Sequence, residues 1–210
     1  RNNDRRRGTR GVARRDQTSR MFSNVGSGKR LMSISMKDTI LWNPSRDPQR
    51  PNYAFIESVL PFLYQISNYY VITLITPVST PEERAAIISL LRNARLFVEG
   101  VIDERRVLFC ESEVGKVHII KHIGASVHVE GATGMVGENI IEDVRTFVGK
   151  VVWIMKRIDR ERDGENNGSG KEKYESSESS ALNKPVDRNK WNNVEISESL
   201  VMSHLGRESR

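Results

Sequence analysis

Four sets of residues have types and spacings that could do chemistry. Cys110 closes the apolar run VLFC and precedes Glu111, Ser112 and Glu113, which carry the turn and N-cap character of a strand-to-helix junction. At such a junction the helix dipole can lower a thiol pKa and prepare a nucleophile. His118 and His122 stand four apart, so a helix would put both on one side, where they could share a metal. Gly131, Gly134 and Gly137 open an apolar helical pattern after a strand, where free N–H groups could cradle an anion. Gly26, Ser27, Gly28 and Lys29 have the order that ends a phosphate-binding loop.

Each set also has a plainer reading, and the plainer one outweighs it. A lone cysteine in VLFC packs as a small hydrophobe, with no base placed beside it by the sequence. HIIKH lacks the glutamate of the zinc-protease motif and fits a solvated helix face. The glycine spacing departs from the dinucleotide fingerprint and suits turns that need positive φ. Ser23 stands where the first glycine of a phosphate loop belongs, Arg30 replaces its Ser or Thr, and no strand precedes it. Asn167, Gly168 and Ser169 form a glycosylation acceptor, relevant only in a secretory compartment that nothing here supports.

The elements that would position these groups centre on residues 106–130. Val107 to Cys110 reads as a strand buried on both faces. Glu111, Ser112 and Glu113 supply turn and N-cap chemistry for an amphipathic helix over the following eleven residues, for which Gly124 offers a C-cap, and residues 126–129 read as a returning strand. Strand, crossover helix and strand make a βαβ unit, which implies parallel pairing and helices on both faces of a sheet. Around it, Asp38 to Trp42 is the first strand expected, closed by Asn43-Pro44 and a proline-rich loop. Residues 53–68 show helical spacing interrupted at Pro61, and the β-branched run 69–76 is the central strand. Thr80, Pro81 and Glu83 form a capping signature for a helix to about Asn93. A helix over 138–148 and a fifth strand over 150–155 complete an α/β fold with a mostly parallel five-stranded sheet.

Charge divides the chain. Residues 1–30 hold ten Lys/Arg against two Asp/Glu, whereas 31–160 hold fifteen of each. The basicity of the whole, +6, therefore belongs to an arm rather than to the domain. The expected organisation is a disordered basic arm over 1–35 and an α/β domain over 36–159. A mostly disordered polar tail over 160–210 follows, in which Trp191 to Leu205 could form a short docking helix. One cysteine excludes an internal disulfide and gives no sign of secretion, which makes a cytosol-facing location the default. The chain begins with Arg rather than Met and holds no run of about 20 apolar residues, so we expect a piece of a longer protein, with any membrane anchor upstream.

Two family resemblances follow from these residues. Thr76 at a strand end, Lys116 on a later helix and Glu130 at the next strand end resemble the later motifs of the haloacid dehalogenase-like phosphatases. That family implies an aspartate nucleophile and a second aspartate two residues on at the end of the first strand. The matching stretch here is Asn43, Pro44 and Ser45, which supplies neither a phosphate acceptor nor a magnesium site. The second resemblance is carried by VLFCESEVGK, the apolar helix after it and VHVE, together with residues 91–97 before it. These resemble the soluble domain of the peroxin-22 family. The family implies a three-layer, Rossmann-like domain at the cytosolic face of the peroxisomal membrane, anchored by an upstream helix. It also implies a ubiquitin-conjugating enzyme of the peroxin-4 type as partner, for ubiquitination and recycling of the cargo receptor.

The resemblance implies an adaptor with no catalytic residues, no metal and no cofactor. The candidate partner-binding residues are Glu111, Ser112, Glu113, Lys116, His118 and Lys121, expected on the turn and the helix surface. Two alternatives stand beside it: a diverged phosphatase-like or nucleotide-binding α/β enzyme, and a non-specific nucleic-acid binder acting through the Arg-rich arm. Specific nucleic-acid recognition by the neutral domain is not expected.

Overall fold

The computed structural model describes residues 28–45, 51–155 and 190–208. The Arg-rich residues before 28, the acceptor triplet at 167–169 and most of the polar tail lie outside the described residues. What is described is a mixed α/β domain built on a six-stranded parallel sheet with helices on both faces.

The sheet comprises β1 (Arg30–Ser35), β4 (Tyr70–Pro77), β5 (Val107–Cys110), β6 (Val127–Glu130), β7 (Lys150–Ile154) and β8 (Val194–Ser197), in the order β5-β4-β1-β6-β7-β8. Every neighbouring pair is parallel. A separate antiparallel pair, β2 (Leu41–Trp42) with β3 (Ala54–Phe55), forms a hairpin after β1. Helices α1 (Val59–Ile66) and α2 (Pro81–Asn93) cover one face, and α3 (Glu113–Ile123) and α4 (Gly134–Val144) cover the other. A short α5 (His204–Glu208) closes the first face with Leu205 in its core.

The first strand of the sheet is β1, not the predicted 38–42, whereas the predicted central strand 69–76 is β4, inside the sheet between β5 and β1. Asp38 has φ 64°, and Ile40 and Leu41 both donate their N–H to the Met36 carbonyl, so this stretch is a tight turn despite its apolar residues. β1 escapes a hydrophobic-pattern reading because Ser33 and Ser35 look solvent-facing, yet both are buried against polar partners on β6. The sheet thus draws strands from beyond both composition limits, β1 starting before residue 36 and β8 lying well past 159. Trp191 to Leu205, where the sequence offers a short helix within a mostly disordered tail, instead contributes β8 and only the start of α5.

Local chemistry explains the helix ends. Thr80 Oγ1 accepts the Glu83 N–H with Pro81 in the first turn, and Ser112 Oγ accepts the Gly115 N–H. Gly124 ends α3 at φ 54°, the left-handed position of a helix C-cap. Pro61 does not break α1, because the helix starts at Val59 and a proline in the first turn removes no internal hydrogen bond. α4 begins four residues before the predicted 138. Gly137 is in its first turn because a Cβ there would overlap the Ala132 carbonyl and come within 2.9 Å of the Trp153 ring.

Candidate functional site

In an open parallel sheet the natural ligand crevice lies beyond the carboxyl ends of the strands, where strand order reverses. Here that point is between β1 and β6, so the site is framed by Ser35 to Thr39, by Glu130 to Ala132 and by the start of α3.

At its centre Glu130 is 1% exposed and Lys116 is 3% exposed. Lys116 Nζ lies 3.1 Å from Glu130 Oε1, 3.0 Å from Oε2 and 2.6 Å from Glu113 Oε2. Glu130 Oε1 also accepts the N–H groups of Gly131 and Ala132, each at 2.9 Å, and Oε2 accepts the Ser35 hydroxyl at 2.8 Å. A carboxylate offers about four acceptor directions and an ammonium three protons. The Glu130 carboxylate is therefore saturated by the protein itself, and the Lys116 charge is held between two carboxylates.

Electrostatics agree with the geometry. Burial alone would raise the Glu130 carboxyl, but the His128 ring, the Lys116 charge and the Ala132 N–H together hold it below the ordinary carboxylate range. Burial would lower Lys116, and Glu130 and Glu113 more than reverse that. The pair is charged and locked, with no proton poised to move near neutrality.

His128 extends the network inward. Its Nδ1 is 2.9 Å from Ser33 Oγ and its Nε2 is 3.5 Å from Glu130 Oε2. The order Ser, His, Glu has the outline of a hydrolytic relay, but Ser33 and His128 are fully buried in the sheet, so no substrate carbonyl can reach the hydroxyl. It is a polar seam under α3 rather than a nucleophile.

The crevice itself is filled by the chain. A Cβ on Gly131 would lie 2.6 Å from the Lys37 carbonyl oxygen, 2.8 Å from Thr39 Cγ2 and 2.9 Å from the Asp38 carbonyl carbon. The turn after β1 is thus seated directly on the loop after β6. Thr39 Oγ1 pins the turn by donating to the Ser35 carbonyl. Lys37 points its ammonium at Glu83, 3.1 Å away, beside Tyr53, whose hydroxyl donates to the same carboxylate at 2.8 Å.

The phosphatase-like residues are not assembled. Strand alternation puts Thr76 with Ile72 and Leu74 on the α1/α2 face, whereas Lys116 and Glu130 occupy the α3/α4 face. Asn43 follows β2, away from the main sheet, and its Oδ1 accepts the N–H groups of Ser45 and Asn52. The true end of the first strand carries Ser35, with Lys37 two residues on, so the two carboxylates are missing there as well.

The other sequence candidates resolve simply. Cys110 is partly buried, and burial pushes its thiol pKa up, opposite to an activated nucleophile. Gly131 and Ala132 give their N–H groups to the protein's own carboxylate, Glu130, and so do not offer them to a bound anion. Among the described residues no cluster of three or more His, Cys, Asp or Glu is placed to hold a metal. Of the six expected docking residues, Glu111, Ser112 and His118 are exposed, Glu113 is partly exposed, and Lys121 lies 3.7 Å from Asp143 over the Phe147 ring. Lys116 is the exception. Placed on the helix surface by periodicity, it is buried because α3 turns it inward onto Glu130. Ser33, Ser35 and His128 were not singled out at all. The one signal that could have found them is the alternation of small polar residues with apolar ones in both strands.

No family model matches the chain. Among solved structures, a hypothetical protein of Xanthomonas campestris is similar over 60% of this chain and 63% of that one, at 12% identity and a TM-score of 0.35. Among curated proteins, peroxisome biogenesis protein 22 of Arabidopsis thaliana is 26% identical over 101 residues, a match covering 48% of this chain and 34% of that protein. The chain thus has a partial likeness to a peroxisome biogenesis protein and spans about a third of that relative's length.

Proposed function

We propose that this chain is a non-catalytic adaptor of the peroxin-22 type, which holds a ubiquitin-conjugating enzyme of the peroxin-4 type at the cytosolic face of the peroxisomal membrane. The observation that carries this reading is the filled switch-point crevice. Glu130 and Lys116 satisfy each other, and the turn after β1 closes over Gly131, so the place where this fold takes a ligand is used for structure. The partial likeness to peroxisome biogenesis protein 22 supports the same reading. Fold alone would not, since one architecture hosts many functions. No helix among the described residues is long and apolar enough to cross a membrane. In the peroxin-22-type reading, attachment belongs to a segment upstream. Bound to its partner, the adaptor would position the enzyme for ubiquitination of the cargo receptor.

The test is calorimetric titration of the 210-residue chain with its cognate peroxin-4-type enzyme, with an unrelated conjugating enzyme as control. Saturable binding to the cognate enzyme alone, at micromolar affinity or tighter, is expected. Equal binding to both enzymes, or no heat and no co-elution with either, refutes the reading.

A further inference from the structure

We infer that the partner docks on an apolar shelf where α3 and α4 begin, and that the matching surface has an apolar centre edged with cations. This inference rests on the adaptor reading and says which face performs it.

Helices α3 and α4 each follow a strand of one parallel sheet and pack side by side, so they run in the same direction. Their register is given by Lys121, whose Nζ lies 3.7 Å from Asp143 Oδ1 and 5.1 Å from the Phe147 ring centroid. Seven residues, about two turns, back from Lys121 and Asp143 stand Val114 and Val136. They share one ridge at the carboxyl end of the sheet. Val114 is 67% exposed, Val136 53% and the adjacent Met135 74%. Single exposed apolar residues are ordinary, but three at the first turns of neighbouring helices form a patch of the kind that marks an interface.

The charge around the shelf is acidic. Glu113 and Glu138 flank it with carboxylates 44% and 40% exposed, and Glu111 and Glu82 are exposed beyond them. Glu82 and Glu113 sit in first helical turns, where they also complement the helix dipole. Glu111 has no such role. It lies outside any helix and makes no ion pair among the described residues. It also borders a cleft of about 300 Å³ walled by Val78, Pro81 and Phe109, which can take one side chain beside the shelf. The Lys116 charge is turned inward and neutralised. Two cations stand among the glutamates, Lys190 at 3.9 Å from Glu138 and Arg84 over the Phe109 ring in the cleft wall, so the excess negative charge of this end is carried by Glu82, Glu111 and Glu113.

The experiment repeats the titration with three variants of the full chain. The double variant V114R/V136R alters exposed side chains only and should melt as the unaltered chain does, while its affinity for the conjugating enzyme falls about tenfold or more. E111K should weaken binding several-fold and flatten its dependence on salt. Y69R, an exposed change at the opposite end of the sheet, should leave affinity unchanged. If V114R/V136R binds as tightly as the unaltered chain, the shelf is overturned and the adaptor reading stands. If the unaltered chain does not bind, both fall. A dimer of this chain that V114R/V136R splits would make the shelf a self-interface and also overturn the proposal.

Discussion

The buried pair of Lys116 and Glu130 sets the behaviour of individual residues. Replacing one member of a buried ion pair strands the other charge, a cost of about 3–5 kcal/mol, whereas replacing both with apolar groups of similar volume is often neutral. Lys116→Met should therefore lower unfolding free energy in urea by about that much, and adding Glu130→Leu should not restore it, because the Gly131 and Ala132 N–H groups and the Ser35 hydroxyl lose their acceptor. The pH dependence follows from the depressed Glu130 carboxyl. The unfolded state takes up the proton first, at the ordinary 4.5, so the stabilisation is complete above that pH and is lost as pH falls below it. Urea midpoints should hold steady from neutrality to about pH 5 and then decline, and Glu130→Gln should make the decline shallower. A variant whose midpoint falls just as steeply would assign the acid sensitivity to other carboxylates.

At the scale of elements, α3 and α4 differ in what fixes them. Ser112→Ala removes the acceptor for the Gly115 N–H and should cost about 1 kcal/mol, read as a lower thermal midpoint. Gly137→Ala should cost about 1–3 kcal/mol, because its methyl group must displace the Ala132 carbonyl or the Trp153 ring. Wild-type melting of that variant would mean the loop before α4 yields freely. The α3 caps were legible in the sequence because Ser112 and Gly124 act on their own neighbours. The start of α4 was not, because Gly137 answers to Trp153, sixteen residues on in the strand beneath the helix. β1 was missed for the same reason. Ser33 and Ser35 are polar by type and buried by partnership, and those partners lie 95 residues away. The exposed turn at Glu111 and Ser112 and the outward place of His118 on α3 were readable from turn chemistry and period, but the inward place of Lys116 was not, since only the folded sheet supplies its carboxylate.

For the whole molecule, the two outlying strands matter most. Residues 36–159, the span that composition marks out, lack β1 at the centre of the sheet and β8 at its edge. That fragment should show no cooperative thermal transition by circular dichroism, whereas residues 28–208 should melt as sharply as the full chain. A cooperative melt of the shorter fragment would mean that β4 and β6 can close on each other without β1. Trp191 shows how tightly the last segment is held. Its ring is 6.2 Å from that of Trp153, its Nε1 donates to Glu142, and it is 5% exposed, so Trp191→Ala should cost about 3–5 kcal/mol.

The ion pair joining Arg30 to Glu208, at 2.9 Å with Tyr70 also donating to Glu208, brings the two ends of the folded region together beside the starts of β1 and β4. A tether attached at either end pulls on the same pole of the molecule. The strand axes then act as a spacer of about 20 Å, the length of a six-residue strand, and a tether at either end would hold whatever seats on the opposite pole that far from the point of attachment.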